Sequence, residues 1–397
     1  MIDIFEKSLG VLPIPDEFET TFSRVCEEYK EKGTFFLEDA YLARIDEKCD
    51  PFPQARVEIL QAAAALRADA DAALYALFIC RAMEDRALFM RHLKHIEFPQ
   101  NAHPLLAFLT FLPAMEGLFD FLVQKEIPTD VIAATVGQFE ACLYVFKERF
   151  DYLGMNKRYF DHMQGYVDHK FLNVGRLRYE ISTLSRLYVL ERVKDGRRVL
   201  CLSDAEMNAA GLYRGTPPET DEAGFNAFFR EEADAFVGTP VSEKGRCQKE
   251  SVRFPKAEYR LALQPGDTVL DVHIPAPGPL TEELCAESYA RARALFAAHY
   301  PEISPKSFHC HSWMMAPELA EILKPSSHLL AFQKPFLKYP AHTKGEDVLN
   351  FVFKLRFTSY ADLPEETSLQ RALKARYLAG GYLYEYCGVI PFEGGNV

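Results

Sequence analysis

The stretch PGDTVLDVHIPAPGPLTEELCAESYARARALFAAH, Pro265–His299, decides the reading of the C-terminal half. A Pro-Gly-Asp turn opens it, and Thr268 to Ile274 follows as a strand. Pro275 to Leu280 then forms a loop, and Thr281 to His299 a helix. Cys285, Tyr289, Ala292 and Phe296 give that helix one apolar face. Glu282, Glu283 and Glu287 stand near its start and Arg291 and Arg293 later, as the helix macrodipole prefers. A second strand, Ser307 to Met314, comes after it. Strand, helix, strand implies a partly parallel sheet, because a parallel neighbour is reached only by a crossover.

Downstream, the pattern predicts a short helix from Pro317, a strand Leu329 to Phe336, a helix Thr367 to Ala379 and a final strand Tyr382 to Ile390. Gly380-Gly381 follows a helix and reads as its C-cap rather than as a phosphate loop. Upstream, Gly175 to Ile181 alternates apolar and charged residues with the period of a half-buried strand. Asp195-Gly196 lies between the strand-forming runs Leu187 to Val193 and Arg198 to Leu202, a short hairpin signal. Thr216 to Arg246, rich in Gly, Pro and acidic residues, fits either a helix through Phe225, Phe228, Phe229 and Phe236 or a decorated loop.

Residues before about 165 have a different period, with apolar positions three and four apart, and read as helices. Pro53 to Asp85, one helix or two, places Val57, Leu60, Ala64, Ala68, Leu74, Leu77 and Phe78 among Ala-rich filler. Pro128 opens another helix, with Val131, Thr135, Phe139, Leu143 and Phe146 on one face. The apolar run His103 to Val123 is interrupted by Pro113, Glu116 and Asp120, where a membrane span needs about 20 apolar residues, and reads as core.

The 397 residues suit two or three domains, and 48% hydrophobic with 26% charged residues suits a folded chain. Lys plus Arg number 45 against 57 Asp plus Glu, a net charge of -12, which disfavours nucleic acid as a partner. The first ten residues carry no signal-type segment, and the nine cysteines form no C-x-x-C pair. Reduced thiols in a cytoplasmic protein are expected, with no membrane association.

GRLRYE (Gly175–Glu180), PGDTVLDVHIP with the following PL (Pro265–Leu280), FHCHSWMM (Phe308–Met315) and TSLQRAL (Thr367–Leu373) together resemble a bacterial family of acyltransferase-like proteins. In that family a helical N-terminal domain precedes a C-terminal domain of GNAT-like fold. The resemblance implies an α+β protein, with an all-helical domain over 1–165 and a GNAT-like mixed α/β domain over 166–397. It implies acyl-CoA as co-substrate, laid beside the strand Thr268–Ile274 with its thioester between that strand and Ser307–Met314. Val272, Ile274, Ala276, Gly278, Leu280 and Thr281 would then line the cofactor. The acceptor, a small-molecule or peptide amine, would approach from the helical domain. The glycine-rich pyrophosphate loop of such enzymes is replaced here by three prolines and two following glutamates, which donate nothing and repel phosphate. Either Lys or Arg from elsewhere holds the pyrophosphate, or the domain is a non-catalytic GNAT-like module for another ligand.

An N-acyltransferase needs a base for the acceptor amine and donors for the oxyanion. Asp271 and His273 share one strand face roughly 6 to 7 Å apart, so either is a candidate base, or both act as a pair. An ordinary polar strand face is the plainer account. Glu180 is a further carboxylate candidate, alternatively a solvated strand end beside Arg176 and Arg178. Along Phe308–Met315, alternation sends His309, His311 and Trp313 to one face and the nucleophilic side chains Cys310 and Ser312 to the other. A Cys310 nucleophile would need His273 as its base. His309 and His311 with His273 could hold a metal, but H-x-H alone is weak and no metal is expected. Trp313 is most simply a core or pocket-wall residue.

Overall fold

The computed structural model describes residues 4–217, 223–275, 278–353 and 359–392. The chain divides into two compact units, Met1–Val174 and Gly175–Val397.

The first unit is helical up to a short terminal strand, β1 (Phe171–Val174). Pro53 to Asp85 becomes two helices, Arg56–Ala68 and Ala70–Ala82, because Asp69 leaves helical geometry between them and its carboxylate accepts from Ala72 N at 3.1 Å. The buried stripe of the first is Ile59, Ala63 and Leu66, whereas Val57 and Leu60 are exposed, at 63% and 42%. That corrects the expected face by part of a turn: the Ala-rich filler offers two adjacent apolar stripes, and neighbouring helices select one. Val131, Thr135, Phe139, Leu143 and Phe146 are all buried, on helices Thr129–Val136 and Gln138–Phe150. The segment Leu106–Gln124 is long and apolar enough to cross a membrane, and more than half of it is buried within the structure. Phe108, Leu112, Met115, Leu118 and Leu122 are core residues.

The second unit contains β2 (Leu177–Thr183), β3 (Leu187–Arg192), β4 (Arg198–Leu202), β5 (Ala205–Met207), β6 (Phe225–Ala227), β7 (Phe229–Glu231) and β8 (Ala235–Pro240). These are followed by β9 (Val252–Pro255), β10 (Tyr259–Leu263), β11 (Thr268–His273), β12 (Ser307–Ser312), β13 (Leu337–Pro340) and β14 (Tyr386–Pro391). Its larger sheet takes the order β2-β11-β12-β14-β13. Only β11 and β12 run parallel within this set, joined by the helix Glu282–His299. A smaller antiparallel sheet has the order β10-β3-β4-β8-β7, with β9 also on β8.

The β3–β4 hairpin turns through Asp195-Gly196, where Gly196 has φ +69°. Thr216–Arg246 departs from both expectations. Among its described residues it forms β6, β7 and β8, strands of three to six residues too short to show a period of two. Phe229 stacks on Tyr188 with ring centroids 3.8 Å apart, so its aromatics line a sheet rather than a helix. Leu329–Phe336 is likewise not a strand: Ser327 caps a helix, His328–Gln333, and the strand follows as Leu337–Pro340. A short apolar run fits either state, and the cap decides it. The last strand begins at Tyr386 rather than Tyr382.

Two layers cover the larger sheet. The helix Glu282–His299 packs on one face, where Tyr179 and Ser288 hydroxyls meet at 2.8 Å and Tyr289 lies against Phe308 with centroids 4.9 Å apart. On the other face, Leu187, Val189, Leu200 and Leu202 of the smaller sheet form one core with Val269, Tyr339 and Val389. Beyond this core the same face carries the polar side chains that make the site.

Candidate active site

Register fixes the site. Asp271 stands opposite Glu180 on antiparallel β2 and opposite His309 on parallel β12, so the three side chains share one row and one face. His273 lies two residues further along β11, on the same face. Asp271 and His273 each find a hydrogen-bond partner on a different neighbouring strand. The His309 ring binds the Asp271 carboxylate through Nδ1 and the Tyr339 hydroxyl through Nε2, the latter at 2.9 Å. His273 Nε2 meets Glu180 Oε2 at 2.9 Å. Asp271 and His309 stand directly opposite each other, whereas His273 reaches Glu180 diagonally, Arg178 being the residue opposite it. Glu180 is thus no solvated strand end. It sits inside β2 and is engaged with the imidazole.

The two pairs differ in exposure. The His309 and Asp271 side chains are 15% and 23% exposed, those of His273 and Glu180 34% and 27%. Burial by itself lowers the His309 imidazolium, but the Asp271 carboxylate and the nearby Cys387 more than reverse this and hold its pKa up at about 10. Burial pushes the Asp271 carboxyl up, and hydrogen bonding and attraction from His309 outweigh that, so it lies below the ordinary carboxylate value. Burial raises the Tyr339 hydroxyl well above its usual range. His309 at neutral pH is therefore a charged, doubly bonded strut rather than a proton acceptor. The more exposed imidazole of His273, oriented by a carboxylate, has the makings of a general base.

The parallel ladder of β11 and β12 pairs Leu270 with Phe308 and Asp271 with His309, and no pair beyond these occurs among the described residues. His273 and His311 lie on the same face, two residues beyond that row.

Cys310 cannot serve as a nucleophile with His273. It is 1% exposed on the opposite face, beneath the helix Glu282–His299, and burial pushes its thiol far up. Native-state alkylation should leave Cys310 unmodified while the unfolded chain labels fully, and Cys310→Ala should retain transfer activity within about twofold at a cost of about 1 kcal/mol in stability. Mass spectrometry of labelled peptides checks the first statement. Ser312 is likewise structural: its hydroxyl accepts from Met314 N at 3.1 Å and caps the turn Trp313–Met315. Trp313 is a core residue, 6% exposed. Neither ring nitrogen of His309 is available to a metal, and no group of three metal-binding side chains occurs among the described residues.

The model of the GNAT-like C-terminal domain matches residues 171–390, more than half of the chain. The protein belongs to this GNAT-like family. Similar solved structures include an acyltransferase crystallised with decanoyl-CoA and teicoplanin, at 17% identity and TM-score 0.60 over 98% of each chain. A mutant acyltransferase with octanoyl-CoA has 17% identity and TM-score 0.60 over 99% of this chain and 100% of its own. A further acyltransferase with decanoyl-CoA has 20% identity and TM-score 0.54 over 85% of this chain and 83% of its own. No curated protein matches the chain.

In this GNAT-like domain the loop after β11 is tied from within. Arg176 donates to the carbonyls of Pro275, Gly278 and Pro279 at 2.8, 3.0 and 2.8 Å. Of the residues expected along the cofactor, Val272 and Leu280 have buried side chains, at 3% and 7% exposure. Ile274 is half-buried and Gly278 exposed. Thr281 spends its hydroxyl capping the following helix, accepting from Leu284 N at 3.3 Å. Ala276 lies outside the described residues. Sequence reasoning missed Tyr339, Cys387 and the loop-binding role of Arg176. Tyr339 lies in the strand Leu337–Pro340, which the sequence reading placed at Leu329–Phe336, and nothing local ties it to His309.

Proposed function

We propose that this protein is an acyl-CoA-dependent N-acyltransferase in which His273 is the general base and Glu180 orients it. The observation that carries this reading is a carboxylate-held imidazole, His273 with Glu180, on the polar face of β11 in a GNAT-like domain. Glu180 holds the imidazole through Nε2 and so fixes the orientation of the ring. The acceptor nitrogen attacks the thioester carbonyl and gives its proton to His273. The carbon–sulfur bond then breaks, and the CoA thiolate leaves and takes up a proton. Backbone N–H groups of β11 can serve the oxyanion. The acyl-CoA complexes of the similar structures support the donor, and the teicoplanin complex of one supports an amine on a glycopeptide or similar molecule as acceptor.

The Arg176-bound loop favours a second reading, a non-catalytic module that binds an acyl ligand without the usual pyrophosphate grip. Two measurements separate them. Acyl-CoA at 100 times its Kd should raise the unfolding free energy by about 2.7 kcal/mol. Mass spectrometry should then find the acyl group on an amine from a panel of peptides and glycopeptides. Binding without transfer to any amine would select the module, and no stabilisation by any acyl-CoA would reject the transferase reading.

A further inference from the structure

We infer that Cys387 is a second acyl acceptor: its sulfur, at the end of a hydrogen-bonded line through Tyr339, His309 and Asp271, takes the acyl group from acyl-CoA when no amine is bound. This rests on the proposed transferase reading, because acyl-CoA is the donor.

Strand register assembles the line. Cys387 on β14 stands opposite His311 on β12 and opposite Tyr339 on β13, while Val389, two residues on, stands opposite His309. These side chains share the sheet face that carries Asp271 and His273. Cys387 lies within hydrogen-bonding reach of both His309 and Tyr339. Counting protons gives the line a direction. An imidazolium has two N–H donors and no acceptor. His309 spends one on the Asp271 carboxylate through Nδ1 and the other on the Tyr339 oxygen through Nε2. The Tyr339 O–H is then left to donate elsewhere, and the Cys387 sulfur is the acceptor within its reach. Cationic neighbours and hydrogen-bond donors favour a thiolate, the nucleophilic form of cysteine. The other eight cysteines lack this setting: six are buried, and in the part-exposed Cys26 and Cys49 burial raises the thiol.

The thiolate attacks the thioester carbonyl, the carbon–sulfur bond to CoA breaks, and CoA leaves as a thiolate. One thioester replaces another, so the exchange needs neither an oxidant nor a net proton transfer.

The experiment incubates the protein with octanoyl-CoA in the absence of amine, quenches in acid and maps the adduct by mass spectrometry of peptides. The expected result is octanoyl on Cys387, released by neutral hydroxylamine as a thioester is, and about tenfold or more above the level on Cys26 and Cys49. Tyr339→Phe keeps the ring but removes the donor, and should slow formation of the adduct about tenfold. Labelling of Cys387 by iodoacetamide should slow in parallel in that variant, a readout that needs no acyl-CoA. If octanoyl-CoA stabilises the protein but leaves Cys387 unmodified, or modifies Cys26 and Cys49 equally, the inference is overturned and the transferase reading stands. Neither stabilisation nor an adduct with any acyl-CoA overturns both.

Discussion

His273→Ala is expected to lower kcat for acyl transfer by about 10²- to 10⁴-fold, the range over which a positioned general base contributes. KM for the acyl-CoA should stay within a few fold, because the ring meets Glu180 and the incoming amine rather than the body of the donor. Glu180→Gln should give a smaller loss. It keeps the shape of the partner but not its charge, so the imidazole loses the group that fixes its orientation. Both side chains are about a third exposed, so neither change should unfold the protein. Pre-steady-state measurement of the transfer step, alongside titration of acyl-CoA binding, checks the split. An unchanged kcat in His273→Ala removes the residue from the chemistry.

The second large effect concerns the neighbouring pair. Asp271→Asn strips the counter-charge from a buried imidazolium and should cost about 3–5 kcal/mol of stability, as breaking one side of a buried ion pair does. The pair also predicts a pH signature. His309 holds its proton up to about 10, against an ordinary value of 6.5. A group raised in the folded state stabilises fully below its unfolded pKa, and that contribution fades as pH rises through the folded value. The wild-type Tm should therefore fall between about pH 6.5 and pH 10, and His309→Gln should flatten that limb. Tyr339 stays neutral throughout, because burial holds its hydroxyl well above its usual range. At the acid end Asp271, held below 3.8, keeps its contribution until pH drops through its lowered value. A wild-type Tm that is flat across the alkaline window would remove the charged state of His309.

The elements around the site were legible because their signals are local. Thr281 caps Glu282–His299 with its own side chain, Asp195-Gly196 turns its own hairpin, and Thr367 with Gln370 closes a capping box on Ser368–Leu378. The same locality explains the failures. In Leu329–Phe336 the apolar run was read without its Ser327 cap. In Thr216–Arg246 the strands are too short to display a period. Asp271, His273 and Glu180 were picked out by residue type and alternation, which place them on strand faces but say nothing of their partners. Cys310 and Ser312 were picked out by reactivity, and burial and capping took them away.

Taken alone, then, the order of residues dictated helices first and a mixed sheet after, the alternation along Thr268–His273, and a loop whose prolines cannot donate. Which imidazole is charged and which can accept a proton was settled only by folding. His273 meets Glu180 across 93 positions of chain, and His309 meets Asp271 across 38. A hydrogen-bond partner at such distance is chosen by strand order and register, properties of the whole sheet that no window of neighbouring residues contains.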